Sequence, residues 1–386
     1  MNHRSLLSPG TKSVCLALAG LGALAFLIGL KFAPQRALAG LLLGNTYFVM
    51  LAITALVFIA IQNLVGAGWP VLFRRVPEAM TAYLPAGAAG MLIILLGSHS
   101  LYHWAHHTAG VHDPILEAKA LYLNLPIWAI RAGIILTLWM VFARAIIKNS
   151  RRQDVDGNVE HTHKNKRLSA AFMAVFGVTF TLASIDWVMS LEPHWYSTMF
   201  PWYMFGGAFL HALAAIALLT VLLNRQGLFP QFNEHHRHDL GKYVFGFGVF
   251  WAYLWFCQFL LIWYANIPEE TAYYALRSSR GWMAVQALSL LANFIAPSVL
   301  LIRIAAKKDD RFLIAACVSV CLGRGLDLYV MIMPSLSGAA RPSWLDLPIF
   351  LGLAGVFVLL FDRAFASAPA VPEKDPYLVE SLHHHG

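Results

Sequence analysis

The chain is 386 residues long, with 59% of them hydrophobic, 12% charged and a formal net charge of +8. The charged share is about half that of an ordinary soluble domain, too little to coat two soluble domains and opposite to the bias that disorder requires. What remains is a polytopic membrane protein, and its basic excess suits cytoplasmic loops better than a nucleic-acid surface, since no basic, non-membrane domain is present.

A bilayer crossing needs about 20 apolar residues. Ten stretches meet this: about 13–32, 38–66, 80–102, 121–147, 168–191, 198–223, 243–266, 282–305, 312–334 and 345–365. The first has an apolar core too long for a secretory signal, and hydrophobic sequence resumes directly after Arg36, so it is expected to be a retained helix. Gly40 and Gly44 in the second match the small-xxx-small packing pattern. The loop at about 148–167 is basic and polar and predicts a solvated linker. The expected organisation is one membrane domain, 1–365, and a tail, 366–386. The tail's prolines suit an extended arm, either laid along a partner subunit or free.

Orientation follows from Lys and Arg. Counting the last turn of each span with the loop it adjoins, the N-terminus, the even-numbered loops and the C-terminus carry twenty of them and the odd-numbered loops six, while Arg131 and Arg324 lie deep inside spans. Both termini are therefore expected on the cytoplasmic side.

Ionisable groups inside spans are expensive and are functional candidates by default. The third span runs outward to His99 and His103, then His106 and His107; the 99, 103, 106 spacing lies on one helix face. Asn124 and Arg131 share a face of the fourth span, and Asp186 closes the fifth, with Thr179 and Ser190. Arg324 and Asp327, three apart on the ninth, are neighbours. Gln258, Gln286 and Asp346 also fall in outer halves, and only His211 reaches an inner half. These groups collect at one depth. Each Arg–Asp pair could be a register lock that neutralises itself; the common depth points instead to a site for protons or a polar ligand head.

A metal at the 99/103/106 histidines would lack the Cys or paired carboxylate needed to complete a cage. Bis-histidine haem b needs deep histidines on facing helices, and only His211 is deep. Cys15, Cys257, Cys317 and Cys321 form no haem-attachment or iron–sulfur motif. His161, His163, His235, His236 and His238 are expected to be solvated. No bound redox cofactor is expected in this chain.

Three segments carry a resemblance: LYHWAHHTAGVHDPILEAKALYLNLPIWAIR from Leu101 to Arg131, SIDWVMSLEPHWYSTMFPWYMFGGAF from Ser184 to Phe209, and FWAYLWFCQFLLIWYANIPEETAYY from Phe250 to Tyr274. With the ending DPYLVESL at 375–382, they are similar to the ActF-type membrane subunits of alternative complex III. That bacterial quinol:electron-acceptor oxidoreductase has membrane subunits of the polysulfide-reductase membrane-anchor (NrfD-like) superfamily. The resemblance implies an all-α fold of ten transmembrane helices in two four-helix bundles, spans 2–5 and 6–9, with two flanking helices, in the bacterial inner membrane. It implies a homologous membrane subunit, a periplasmic iron–sulfur subunit, haem c subunits and small membrane subunits as partners. The family's quinol site is generally assigned to the homologous subunit, which leaves quinone binding here open. The family's YHWxH pattern falls on Tyr102, His103, Trp104 and His106, and its DW and HW motifs on Asp186/Trp187 and His194/Trp195. His99, His103, Arg131, Asp186, Arg324, Asp327 and His211 are thus candidates for a proton relay or quinone site. Quinol oxidation releases protons that carboxylates or histidines can accept, and electrons that need a metal chain held by partners.

Two other classes compete. A secondary transporter would place polar groups at the midplane on broken helices in inverted repeats, whereas here the layer is displaced outward. A purely structural anchor would use the Arg–Asp pairs for packing alone.

Overall fold

Helix starts and stops along the chain follow local chemistry. Ser8, Asn124, Asn233 and Asp309 each accept a backbone N–H at a helix N-terminus, satisfying donors that the first turn leaves unpaired. Gly66 and Gly157 end two helices in the left-handed conformation, at φ +68° and +69°, which glycine adopts without a Cβ penalty. A computed structural model describes residues 6–105 and 113–385; it is 81% helical, and no strand occurs among the described residues.

Among these residues ten helices are long and apolar enough to cross a bilayer: α1 (Pro9–Phe32), α2 (Pro34–Val65), α3 (Val71–Leu96), α4 (Leu125–Asp156), α5 (Glu160–Leu191), α6 (Phe200–Arg225), α7 (Glu234–Ala265), α8 (Trp282–Leu301), α9 (Asp310–Ile332) and α10 (Asp346–Phe365). The apolar windows of α2 and α6 are 78% and 83% buried. They are apolar all round, which suits a helix with no lipid-facing side. α2 packs on α3, α5, α6 and α10; α4 lies against α3 and α5; α6 lies against α7 and α9, and α8 completes the contacts of α7 and α9.

α1 packs chiefly on α10. A Cβ on Gly22 would stand 2.6 Å from Gly352 Cα, and one on Gly355 2.6 Å from Cys15 O, so only glycine permits this approach. Gly40 and Gly44 do face α10, at Ile349 and Leu353. An even number of crossings puts both termini on one face, here called the terminal face. There the backbone N–H groups of Leu6 and Leu7 donate to Asp362 Oδ1 at the end of α10 (2.7 and 3.3 Å). The opposite face is called distal.

Four expectations need correction. The third span begins at Val71 rather than near 80, so Arg75 and Glu78 lie in a helix and are buried. The stretch 148–167 is no solvated linker: α4 continues to Asp156 and α5 starts at Glu160. Asn149 Nδ2 donates to Asn165 Oδ1 (2.9 Å) and Gln153 Nε2 to Thr162 Oγ1 (2.7 Å), closing a hairpin. His236 is fully buried, in a capping box with Asn233. The tail is not a free arm. Its short helix, Leu378–Leu382, docks on the terminal face through Ser381 Oγ, which donates to Trp69 O (2.7 Å) and accepts from Leu72 N (3.1 Å). Asp375 pairs with Arg74, and His384 with Asp239 (2.8 Å).

Candidate functional site

Beneath the distal face lies a layer of buried or half-buried Arg–carboxylate pairs. The first joins α4 to α5. Asp186 stands in the last turn before Trp187 and is 0% exposed. Arg131 approaches it with both arms of the fork, Nε to Oδ2 at 2.7 Å and Nη2 to Oδ1 at 3.0 Å. Tyr122 donates its hydroxyl to Oδ1 (2.8 Å), lays its ring 3.9 Å from the guanidinium, and offers its carbonyl to Nη1 (3.0 Å). Trp128 Nε1 and Ser190 Oγ both donate to the Asp186 carbonyl (2.9 and 2.6 Å). A buried ion pair holds when such neighbours satisfy its remaining polar atoms.

The second pair lies on α9. Arg324 Nη1 donates to Asp327 Oδ2 at 2.6 Å, as their i,i+3 spacing allows. Tyr203 of α6 donates to the other carboxylate oxygen, and Arg324 Nη2 reaches Met204 Sδ (2.9 Å). A Cβ on Gly207 would overlap the Arg324 guanidinium, so glycine makes room for it. His211 stands one turn further along the same face of α6, 4.2 Å from the Tyr47 ring centroid. Among the described residues His211 Nδ1 and Arg324 Nε are buried without a hydrogen-bond partner.

Two further pairs were missed in the sequence because they involve residues outside the apolar stretches. Arg277 ends the short helix Pro268–Arg277 and is 1% exposed. It binds Glu192 (2.6 Å), donates to the carbonyls of Val330 and Met331 (both 3.0 Å), and stacks 3.4 Å from the Tyr273 ring. The available signal was the i,i+4 spacing of Tyr273 and Arg277 in an amphipathic decapeptide. Arg36, in the first turn of α2, grips Asp346 of α10 and Tyr329 of α9 (Nη2 to the hydroxyl 2.8 Å). Each of the four pairs therefore touches a tyrosine.

The histidines are arranged differently from expectation. The helix ends at Gly97; a single turn, Ser98–Leu101, follows, and Tyr102 is extended. His99 and His103 thus do not share one continuous helix face, and both are exposed; His106 and His107 lie outside the described residues. The break is held by Tyr102, whose hydroxyl donates to Trp187 O (2.9 Å), and by Trp104 Nε1, which donates to Ser190 O (3.1 Å). The Asp186 carboxylate is held by Arg131 and Tyr122, while the His103 ring stands 6.4 Å from that of His194. His194 in turn binds Asp113 (2.6 Å), and this hydrogen bond holds the Asp113 carboxyl below the usual carboxylate range. Among the described residues no group of three or more His, Cys, Asp or Glu is placed to hold a metal. Asn124 serves as the N-cap of α4 and stays outside the layer. Gln286 binds the Arg277 carbonyl (3.0 Å) and Gln258 the Tyr274 hydroxyl (3.3 Å).

α8 carries one π turn, Leu291–Ile295. Pro297 has no N–H to return to the carbonyl of Asn293, and such breaks are taken up by π geometry. The Asn293 side chain donates back to Ser289 O (3.0 Å).

Compared with known proteins, the chain matches no family model and no curated protein.

Proposed function

We propose that this chain is an ActF-type membrane subunit of an alternative complex III-like quinol:electron-acceptor oxidoreductase, carrying no redox cofactor of its own and supporting quinol oxidation, proton translocation or both. The observation that carries the reading is the distal layer: four Arg–carboxylate pairs, each in contact with a tyrosine, one of which, Arg131–Asp186, lies wholly on segments whose sequences resemble that family, while Arg277–Glu192 has its acid there. Tyr122 and Tyr203 donate to Asp186 and Asp327, so each acid already sits in a chain of exchangeable protons. The ring of neighbours α2–α3–α4–α5 and the second ring α6–α7–α8–α9 support the two-bundle arrangement. In this reading the distal face is periplasmic, the termini are cytoplasmic in a bacterial inner membrane, and haem c and iron–sulfur partner subunits carry the electrons.

A structural reading is favoured by one feature: Arg131 meets Asp186 with both arms of its fork, the geometry of a lock. Asp186→Asn in the whole complex separates the two. A relay predicts normal assembly with a multihaem cytochrome and an iron–sulfur protein, and lowered quinol turnover or proton release. Full turnover and release would end the relay role of Asp186, and loss of assembly alone would favour the lock. Purification of the chain without any haem- or iron-bearing partner would overturn the assignment to such a complex.

A further inference from the structure

The α3–α4 seam opens towards the terminal face into a groove of about 630 Å³. Its floor is apolar, with Leu84 and Pro85 of α3 and Ala143 and Ile147 of α4. Its rim is basic: Arg144, Lys148, Arg151 and Arg152 of α4 all line it. The positions 144, 148 and 151–152 repeat at helical spacing and face one side. Arg151 is anchored to the end of α10, through Ser367 Oγ (2.8 Å) and the Ala364 carbonyl (3.1 Å). Arg144, Lys148 and Arg152 are exposed, and no ion pair joins them to any carboxylate among the described residues. Glu78 also lines the groove, but its carboxylate is held by Arg75 and by Ser150 (2.7 Å), so it does not neutralise the rim.

Further along the seam, Met140 is shared with a second, apolar slot of about 200 Å³. Trp128, Ala132, Leu136 and Met140 form its α4 wall at four-residue spacing. At 1.5 Å per residue, Lys148 to Leu136 is about 18 Å along the axis. One leaflet of hydrocarbon is about 15 Å, half of a bilayer core. A headgroup at the basic rim would therefore lay an acyl chain against the near end of this wall, at Met140 and Leu136, about one leaflet deep.

We propose that this groove is a binding site for one anionic phospholipid, with its phosphate at Arg144, Lys148 and Arg152 and an acyl chain in the slot beside Met140. Charge decides the headgroup, since basic pockets between membrane helices select anionic lipids. The apolar floor and the slot decide that the ligand is a diacyl lipid and not a free phosphate.

The test uses the full chain purified in mild detergent and titrated with phosphatidylglycerol, phosphatidylethanolamine or inorganic phosphate under native mass spectrometry. Saturable binding of one long-chain phosphatidylglycerol is expected, with phosphatidylethanolamine weaker by about tenfold or more. The exposed pair Arg144→Gln/Lys148→Gln should lower phosphatidylglycerol affinity by a similar factor, while Lys164→Gln/Lys166→Gln, with the same net charge change off the groove, should not. Equal loss in both double variants would reduce the effect to net charge and overturn the site. So would equal affinity for the two lipids, displacement by inorganic phosphate at matching concentration, or recovery of a quinone in place of phospholipid. A thermal melt of each variant, unchanged from the parent, shows that the lost affinity comes from a folded protein.

Discussion

Asp186 is completely buried, and its partner Arg131 keeps only 14% of its side chain exposed. Removing one member of such a pair leaves the other charge stranded in a low-dielectric site. Arg131→Ala should therefore cost about 3–5 kcal/mol, measured as a lowered Tm of the purified chain. Asp186→Asn keeps the shape and still accepts from Tyr122 but strands the partly exposed Arg131, so it should also lower Tm, by somewhat less; an unchanged Tm in both variants would show that the ion pair is not what holds α4 to α5. Gly207 makes a different demand, for volume. A methyl group there overlaps the Arg324 guanidinium, and overpacking of this kind costs about 1–3 kcal/mol. Gly207→Ala should thus lower Tm. Gly177→Ala in α5, where nothing lies within 4 Å of the new carbon, should raise it slightly, because alanine is the better helix former by roughly 0.5–1 kcal/mol. Equal shifts in the two variants would refute the steric argument.

The α4–α5 hairpin shows why a polar, basic stretch need not be a linker. Hydropathy marks where a helix leaves the lipid and says nothing of where it stops. Here the helices continue past the apolar run, and the side-chain bonds Asn149–Asn165 and Gln153–Thr162 join them. The turn depends on Gly157 at φ +69°, where a residue with a Cβ loses roughly 1–2 kcal/mol. Gly157→Ala should therefore speed amide exchange around Gln153 and Thr162 without changing exchange at Asp186, at the other end of the same helices. α3 illustrates the converse error. Arg75 and Glu78 give its first turns the look of a loop, yet Arg75 pairs with both Glu78 and Asp154, so helix and burial are both tolerated.

The C-terminal tail ties the two halves of the chain together across the terminal face. Asp375, Glu380 and Ser381 bind Arg74, Gly68 and Leu72 beside α3. His384 then reaches Asp239 and, through its carbonyl, Asn233 Nδ2 (2.9 Å), at the start of α7. Truncation after Ala370 should lower Tm and open the segment between α6 and α7 to proteolysis. An unchanged melt and cleavage pattern would show that the strap contributes nothing to the fold.

The ten crossings were legible in the chain because a bilayer imposes a local rule: about 20 apolar residues in a row, whatever surrounds them. The depth of the charged layer was legible for the same reason, since Arg131, Asp186, Arg324 and Asp327 each interrupt an apolar run at a countable distance from its end. Which charge meets which was not. Arg324 and Asp327 are three residues apart, and helix geometry alone joins them; Arg131 and Asp186 are 55 apart, Arg277 and Glu192 85, and Arg36 and Asp346 310. Those meetings depend on how helices pack, and packing is set by non-local features such as the Gly22–Gly352 approach and the room left by Gly207. The histidines show the same limit. Their spacing fitted one helix face, but Gly97 ends the helix, and the bonds of Tyr102 and Trp104 to the end of α5 carry the chain away from it. Contacts made across the fold outweigh a local periodicity when they satisfy buried polar groups that the helix would leave unpaired.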